Sequence, residues 1–201
     1  MATWSKMGTA MTADELSERV QQALTDYTPR HLDHPEAASA AVLLLITDRD
    51  GEPHVVFTER TNDVEHHKGQ MSFPGGAADD CDDSLAATAL RETYEEIGVL
   101  PEHVRVVGQL DEMLTISNFR VTPFVGLVAG QSFDYPFVLN EHEVATVVQV
   151  PLSFLLEEQN MELEVRQHQG REVLVPAFSY NGHRIWGATA RMLHQFIELL
   201  R

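Results

Sequence analysis

Cysteine occurs once in the 201 residues, at Cys81, so no internal disulfide can form and the chain suits a reducing cytoplasm. Basic residues are scarce: 14 Lys and Arg stand against 31 Asp and Glu, a formal net charge of −17. Binding duplex nucleic acid needs a basic footprint to displace phosphate counterions, and docking on anionic lipid needs one too, so the balance argues against both. An anionic small molecule stays within reach only where metal ions or a local set of arginines meets it. No apolar run approaches the roughly 18 residues of a membrane span. The N-terminal MATWSKMGTAMT lacks the apolar segment of an export signal. Internal repeats and low-complexity tracts are missing as well. Residues 1–12 read as a flexible leader, and 13–201 as a single domain, 43% hydrophobic over the whole chain and able to bury a real core.

Thr12-Ala13-Asp14-Glu15 ahead of Leu16, Val20, Ala23 and Leu24 predicts a capped amphipathic helix ending near Pro29. Ala40 to Thr47 (AAVLLLIT) is a continuous apolar run of strand length, expected to be buried on both faces. Asp48-Arg49-Asp50-Gly51 is a turn signal, with His54 to Thr58 as the returning strand. Thr61 to Ala78 reads as one long connection, and Ser84 to Ile97 as a helix closed by Gly98. Further strands are expected at Val104–Leu110, Val121–Val128 and Val144–Val150, then a short helix at Pro151–Leu156 and a hairpin around Gln169-Gly170. Ile185 to Leu200 closes the chain as a helix, apolar enough to serve the core or a homodimer contact; Trp186 is expected in the core. The class is α/β, a mixed sheet between helices.

The dense feature is Arg91-Glu92-Thr93-Tyr94-Glu95-Glu96. With about 100° per residue, Glu95 and Glu96 fall roughly −60° and +40° from Glu92, so three carboxylates share one helix face. Ala86, Ala89, Leu90, Thr93 and Ile97 fall mostly on the other side. Carboxylates three and four apart repel by a few tenths of a kcal/mol per pair. Arg91 offsets one of them; the rest call for a cation. Mg²⁺ and Mn²⁺ prefer such oxygen ligands and also take substrate phosphates. A solvated acidic helix would show the same spacing, but here Phe73-Pro74-Gly75-Gly76 precedes it, a rigid loop that can bring backbone close to a ligand.

This stretch resembles the Nudix box: G, five residues, E, seven residues, then REUxEExGU with U a bulky apolar residue. Arg91, Glu92, Glu95, Glu96, Gly98 and Val99 match in spacing. Ala77 stands at the leading glycine, Asp83 at the lone glutamate, and Thr93 at the first apolar position. The resemblance implies a Nudix-fold α/β/α sandwich and a hydrolase of nucleoside diphosphates linked to another moiety, using Mg²⁺ or Mn²⁺. It implies Glu92 and Glu96 as metal ligands, Glu95 as ligand or water-activating group, and Arg91 as the residue that orients them.

Val56-Phe57-Thr58-Glu59-Arg60 and Gly69-Gln70-Met71-Ser72-Phe73-Pro74-Gly75-Gly76 resemble the extra motif of the coenzyme A diphosphatase branch, where alanine is common after FPGG. By that resemblance, coenzyme A or an acyl-CoA is the small-molecule substrate, with Arg60, Lys68, Gln70, Phe73, Gly75 and Gly76 as the binding residues. Two positions depart: Thr61 replaces a small residue and Glu65 an arginine, with Lys68, His66 and His67 near enough to compensate. Rival substrates are ADP-ribose, a dinucleotide or an oxidised nucleotide; the rival class is a silent nucleotide-sensing module. Nudix enzymes often place a carboxylate where Asn140-Glu141-His142-Glu143 stands, so Glu143 is the candidate general base and Glu141 the reserve. Cys81 has acidic neighbours that raise its pKa and no histidine logic around it, which argues against a nucleophile.

Overall fold

The computed structural model describes residues 13–61, 69–128, 135–168 and 170–201. Helix α1 (Ala13–Thr25) leads into β1 (Ala38–Arg49) and β2 (Glu52–Arg60), joined by a two-residue turn with positive φ at Asp50 and Gly51. The supposed single connection from Thr61 to Ala78 contains two short strands, β3 (Met71–Ser72) and β4 (Gly75–Ala77). Next come α2 (Leu85–Ile97), β5 (Val104–Gln109), β6 (Met113–Leu114), β7 (Phe119–Val128) and β8 (Val144–Pro151). The chain ends with α3 (Leu152–Leu156), β9 (Met161–His168), β10 (Arg171–Tyr180), β11 (His183–Ile185) and α4 (Gly187–Leu199).

Eight strands form one mixed sheet along the path β3-β2-β1-β7-β5, with β4 on β1, β6 on β7 and β8 on β2. β1 and β7 run parallel; the other pairs are antiparallel. The period of two along β1 explains its unbroken apolar run. Ala40, Leu44 and Ile46 join the core under α1 and α4, while Ala41, Leu43 and Leu45 join the core under α2. Both faces are therefore covered, and the α/β/α sandwich stands.

β9, β10 and β11 form a separate three-stranded sheet. Its third strand takes Ile185 out of the closing helix, which begins at Gly187 instead. That helix spends its apolar side in the core through Ala190, Met192, Leu193, Phe196 and Ile197. Trp186 is not a core residue: it is 39% exposed at the helix start, with the Arg166 guanidinium 5.8 Å from the ring centre.

A polar network ties the segment after α1 to the sheet and to α4. Asp111 accepts from the Tyr27 hydroxyl, from Arg30 N (2.9 Å) and from Arg30 Nε (2.7 Å), while Gln195 Nε2 donates to the Tyr27 hydroxyl (2.6 Å). Burial works to raise the Asp111 pKa, but the Tyr27 and Arg30 hydrogen bonds outweigh it and hold the carboxyl below its usual 3.8. The stability it contributes is complete above that ordinary value and lost as pH falls through the lower folded one. Asp111→Ala should therefore lower the melting temperature at pH 7, with the gap to wild type closing below about pH 4. Thermal denaturation across pH 2–7 checks this.

Candidate active site

Helix α2 starts at Ser84, whose hydroxyl accepts from Ala87 N at 3.2 Å, and stops at Gly98 in the left-handed region (φ 71°). It buries Thr88, Ala89, Thr93 and Ile97 against the sheet. The Thr93 hydroxyl donates to Ala89 O at 2.6 Å, which satisfies a polar group in a position where an apolar one is expected. Glu96 departs from the simple picture of an exposed acidic face. It is 4% exposed and points back toward the β3–β4 segment, where Gly75 N donates to its Oε2 at 3.3 Å.

Pro74 O accepts from Leu43 N at 2.8 Å, and Gly75 and Gly76 pair with Val42 and Ala41. A Cβ at Gly75 would collide with the Ala41 carbonyl oxygen. A Cβ at Gly76 would lie 2.5 Å from the Glu92 carboxyl carbon, so this glycine is what lets Glu92 rest on the strand. Ala77 pairs with Ala40 and is exposed, so alanine replaces the leading glycine of the box without a clash. Gly76→Ala should leave the fold intact, displace the Glu92 carboxylate, and cut kcat by about 10²-fold, the cost of a misplacement near 1 Å. Steady-state kinetics beside circular dichroism would show it.

The carboxylates occupy three different settings. Burial raises the Glu96 pKa to about 8; Glu92 and Glu143 push the same way, while Gly75 N–H and Arg60 oppose them. Glu92 is half-buried and also raised, first by burial. The Glu95 side chain is 52% exposed and outermost. Arg91 Nη1 donates to Glu92 at 2.8 Å and to Glu95 at 3.1 Å, and Nη2 reaches Ala77 O at 3.2 Å. The other edge of the guanidinium grips Asp82 as a fork, Nε to Oδ1 at 2.9 Å and Nη2 to Oδ2 at 3.0 Å. Asp82 also accepts from the Thr88 hydroxyl and from Asp79 N. The hydrogen bonds from Arg91 hold the Asp82 carboxyl far below the usual carboxylate range.

This fork is the residue assignment that spacing missed. Motif alignment points to Asp83, which is exposed; the acid that clasps Arg91 is its neighbour Asp82. The hint available in sequence is the acidic run Asp79-Asp80-Cys81-Asp82-Asp83, any member of which could face the helix.

Glu143 is brought to the same place. Asn140 N donates to Glu96 O at 2.9 Å, and Asn140 Nδ2 donates to Glu143 Oε1 at 3.1 Å, so the turn before β8 is fastened to the end of α2. Glu143 raises the pKa of both Glu92 and Glu96, whereas Glu141 is exposed. Arg60 lies at a bulge in β2, its charge acting on Glu96 and its buried Nε without a partner among the described residues. Arg60 N donates to Gln70 O and Gly69 N to Arg60 O, which folds the Gly69–Gln70 backbone onto β2. Phe73 lies deeper. It is 1% exposed and stacked on Phe57 with ring centres 5.0 Å apart, so its ring packs in the core. Lys68, Glu65, His66 and His67 lie outside the described residues. Cys81 is exposed, with its thiol pKa raised by the hydrogen bond to Asp79.

Among the described residues, no three acidic, histidine or cysteine side chains already surround one point as a metal cage would. The residues nonetheless fit Mg²⁺ or Mn²⁺, which are bound through one or two carboxylates plus substrate phosphates and water rather than by a complete protein cage. Glu92 and Glu96 face the Gly75-Gly76 backbone side by side, and burial leaves Glu96 short of positive charge.

Residues 37–173 match the NUDIX domain family. An uncharacterized Nudix hydrolase of Pectobacterium atrosepticum, NudL, is 41% identical over 71% of this chain and 73% of its own length. The NudL protein of Escherichia fergusonii is 32% identical over 92% of this chain and 93% of its own. The solved Nudix hydrolase RenU of M. Smegmatis is 23% identical, with a TM-score of 0.48 over 63% of this chain and 74% of that one. With its carboxylate helix, its glycine loop and this match over most of its length, the chain belongs to the Nudix family and is a hydrolase of nucleoside diphosphate derivatives.

Proposed function

We propose that this hydrolase works in the cytoplasm on coenzyme A or acyl-CoA, cleaving the diphosphate to give 3′,5′-ADP and 4′-phosphopantetheine or its acylated form. One observation carries the reading. The segment resembling the coenzyme A motif supplies both the Gly75-Gly76 backbone under Glu92 and Arg60, whose buried Nε has no partner among the described residues. An orphaned guanidinium nitrogen beside a buried carboxylate suits an anion that arrives with its own counterions.

In this reading Glu92, Glu96 and Glu95 hold Mg²⁺ or Mn²⁺, which supplies charge neutralisation for the diphosphate and a more acidic water. Arg60 donates to a phosphate oxygen and offsets its charge, aided by Lys68. Gly75 and Gly76 leave the backbone open to the substrate, with Gln70 flanking it. Glu143 takes the proton of the attacking water. Arg91, tied to Asp82, keeps Glu92 and Glu95 in position.

A panel of CoA, acetyl-CoA, ADP-ribose, a dinucleoside polyphosphate and an oxidised nucleotide, with Mg²⁺ or Mn²⁺, tests the substrate. CoA or its thioester should give the highest kcat/KM. Turnover of ADP-ribose with CoA untouched would sink the assignment, and Glu65 in place of an arginine is the feature that would then account for it.

A further inference from the structure

Three buried side-chain nitrogens lack a hydrogen-bond partner among the described residues: Arg60 Nε, Gln109 Nε2 and Arg120 Nε. Arg60 belongs to the site above. The other two lie beyond it, and strand register puts both on the sheet face that α2 covers. Gln109 pairs with Phe124, which packs into the α2-side core. Arg120 pairs with Ser39 and donates to its hydroxyl at 3.0 Å. Phe119 and Val121, on either side of Arg120, point the other way into the core under α1 and α4.

The same register fixes the distance to the carboxylates. Gly76, beneath Glu92, pairs with Ala41; Ala41 pairs with Thr122; and Arg120 is two residues along β7 from Thr122. Two strand spacings and two residue rises separate the Cα atoms of Gly76 and Arg120 by about 12 Å. A nucleoside attached to a diphosphate over Gly76 reaches that far.

The surroundings say what kind of group fits. Leu114 pairs with Arg120 on the same face and is 38% exposed, so apolar surface is available there. Glu112 lies in the field of Arg120, with its carboxylate taken by Leu32 N (2.6 Å) and the His31 ring (3.2 Å). A carboxylate this near repels a second phosphate, which favours a neutral ring acceptor. We propose that the α2-side face of β5, β6 and β7 is the nucleoside subsite: Arg120 Nε and Gln109 Nε2 donate to acceptor atoms of the base, and Leu114 packs against its flat face. The assignment rests on the diphosphate lying over Glu92 and Gly76.

Calorimetric titration of the full chain, in Mg²⁺, with AMP and separately with 4′-phosphopantetheine tests it. Arg120→Met and Gln109→Leu should each weaken AMP about tenfold, the loss of one hydrogen bond left unmade in a buried site. Affinity for 4′-phosphopantetheine should not change. Leu114→Asp, at an exposed position, should weaken AMP as well and reads the subsite even if a buried variant fails to fold. The proposal falls if wild type binds no AMP at millimolar concentration, if no folded variant alters AMP affinity, or if both ligands weaken equally. CoA and ADP-ribose share adenosine 5′-phosphate, so weakened AMP binding without CoA turnover would sink the substrate reading alone. Unaltered AMP binding with CoA turnover would sink the subsite alone.

Discussion

Glu96→Gln should abolish turnover and at the same time stabilise the metal-free protein. If Glu96 holds the metal as proposed, its loss forfeits several kcal/mol of charge stabilisation, so kcat should fall on the order of 10³-fold or more. The stability effect has the opposite sign because Glu96 is buried and its folded pKa, about 8, lies above the ordinary 4.5. A carboxyl raised in this way is tolerated best when protonated. Wild-type stability should therefore be greatest below the unfolded value, decline as pH rises between the two, and level off above the folded one. The glutamine amide of the variant never ionises and can still accept from Gly75 N. In EDTA, its advantage should grow from about pH 5 to pH 8 and reach a few kcal/mol. Denaturant titrations at pH 5, 6.5 and 8 would decide it. A wild type equally stable at all three, with no gain in the variant, would show that Glu96 carries no burial penalty.

Asp82→Asn should be nearly as damaging to activity as loss of Arg91, while Asp83→Asn should be close to silent. The fork to Asp82 is the strongest contact Arg91 makes, and the same guanidinium holds Glu92 and Glu95. With one of the two fork oxygens replaced by an amide, the guanidinium meets a donor in place of an acceptor and the pairing breaks. Glu92 and Glu95 then lose their common anchor, and a displacement near 1 Å at the reacting centre costs about 10² in rate. Kinetics of both asparagine variants beside Arg91→Ala provide the measurement. If Asp83→Asn were the more harmful, the fork would be assigned to the wrong residue.

The parts of the fold legible in sequence are those governed by long periodic signals. The apolar run of β1 announced a strand covered on both sides, and the glutamate spacing with Ser84 and Gly98 announced α2 and its ends. What escaped was set by contacts distant in sequence. β3, β4 and β11 have two or three residues each and exist only because β2, β1 and β10 lie alongside. Helical angles placed Glu96 with Glu92 and Glu95, but the depth of Glu96 comes from the β3–β4 segment folding over it. Asp82 outranks Asp83 because a local turn, Cys81 N on Asp79 Oδ1 and Asp79 N on Asp82 Oδ2, rotates one of two adjacent acids toward the helix. Phe73 reads as a ligand contact inside a motif and as a core ring once Phe57 is opposite it.

The parallel pairing of β1 with β7 has a consequence for how activity first arises. β1 carries the backbone that seats Gly75 and Gly76, yet its parallel neighbour is made only after the whole carboxylate helix has been synthesised. A nascent chain that has just released α2 holds every candidate metal ligand of the box but lacks the strand that steadies their platform. Contacts this distant form late and slowly. Diphosphate hydrolysis should thus stay off until β7 has docked and Glu143, which follows it in the chain, is in place, and a chain ending before Phe119 should be inert.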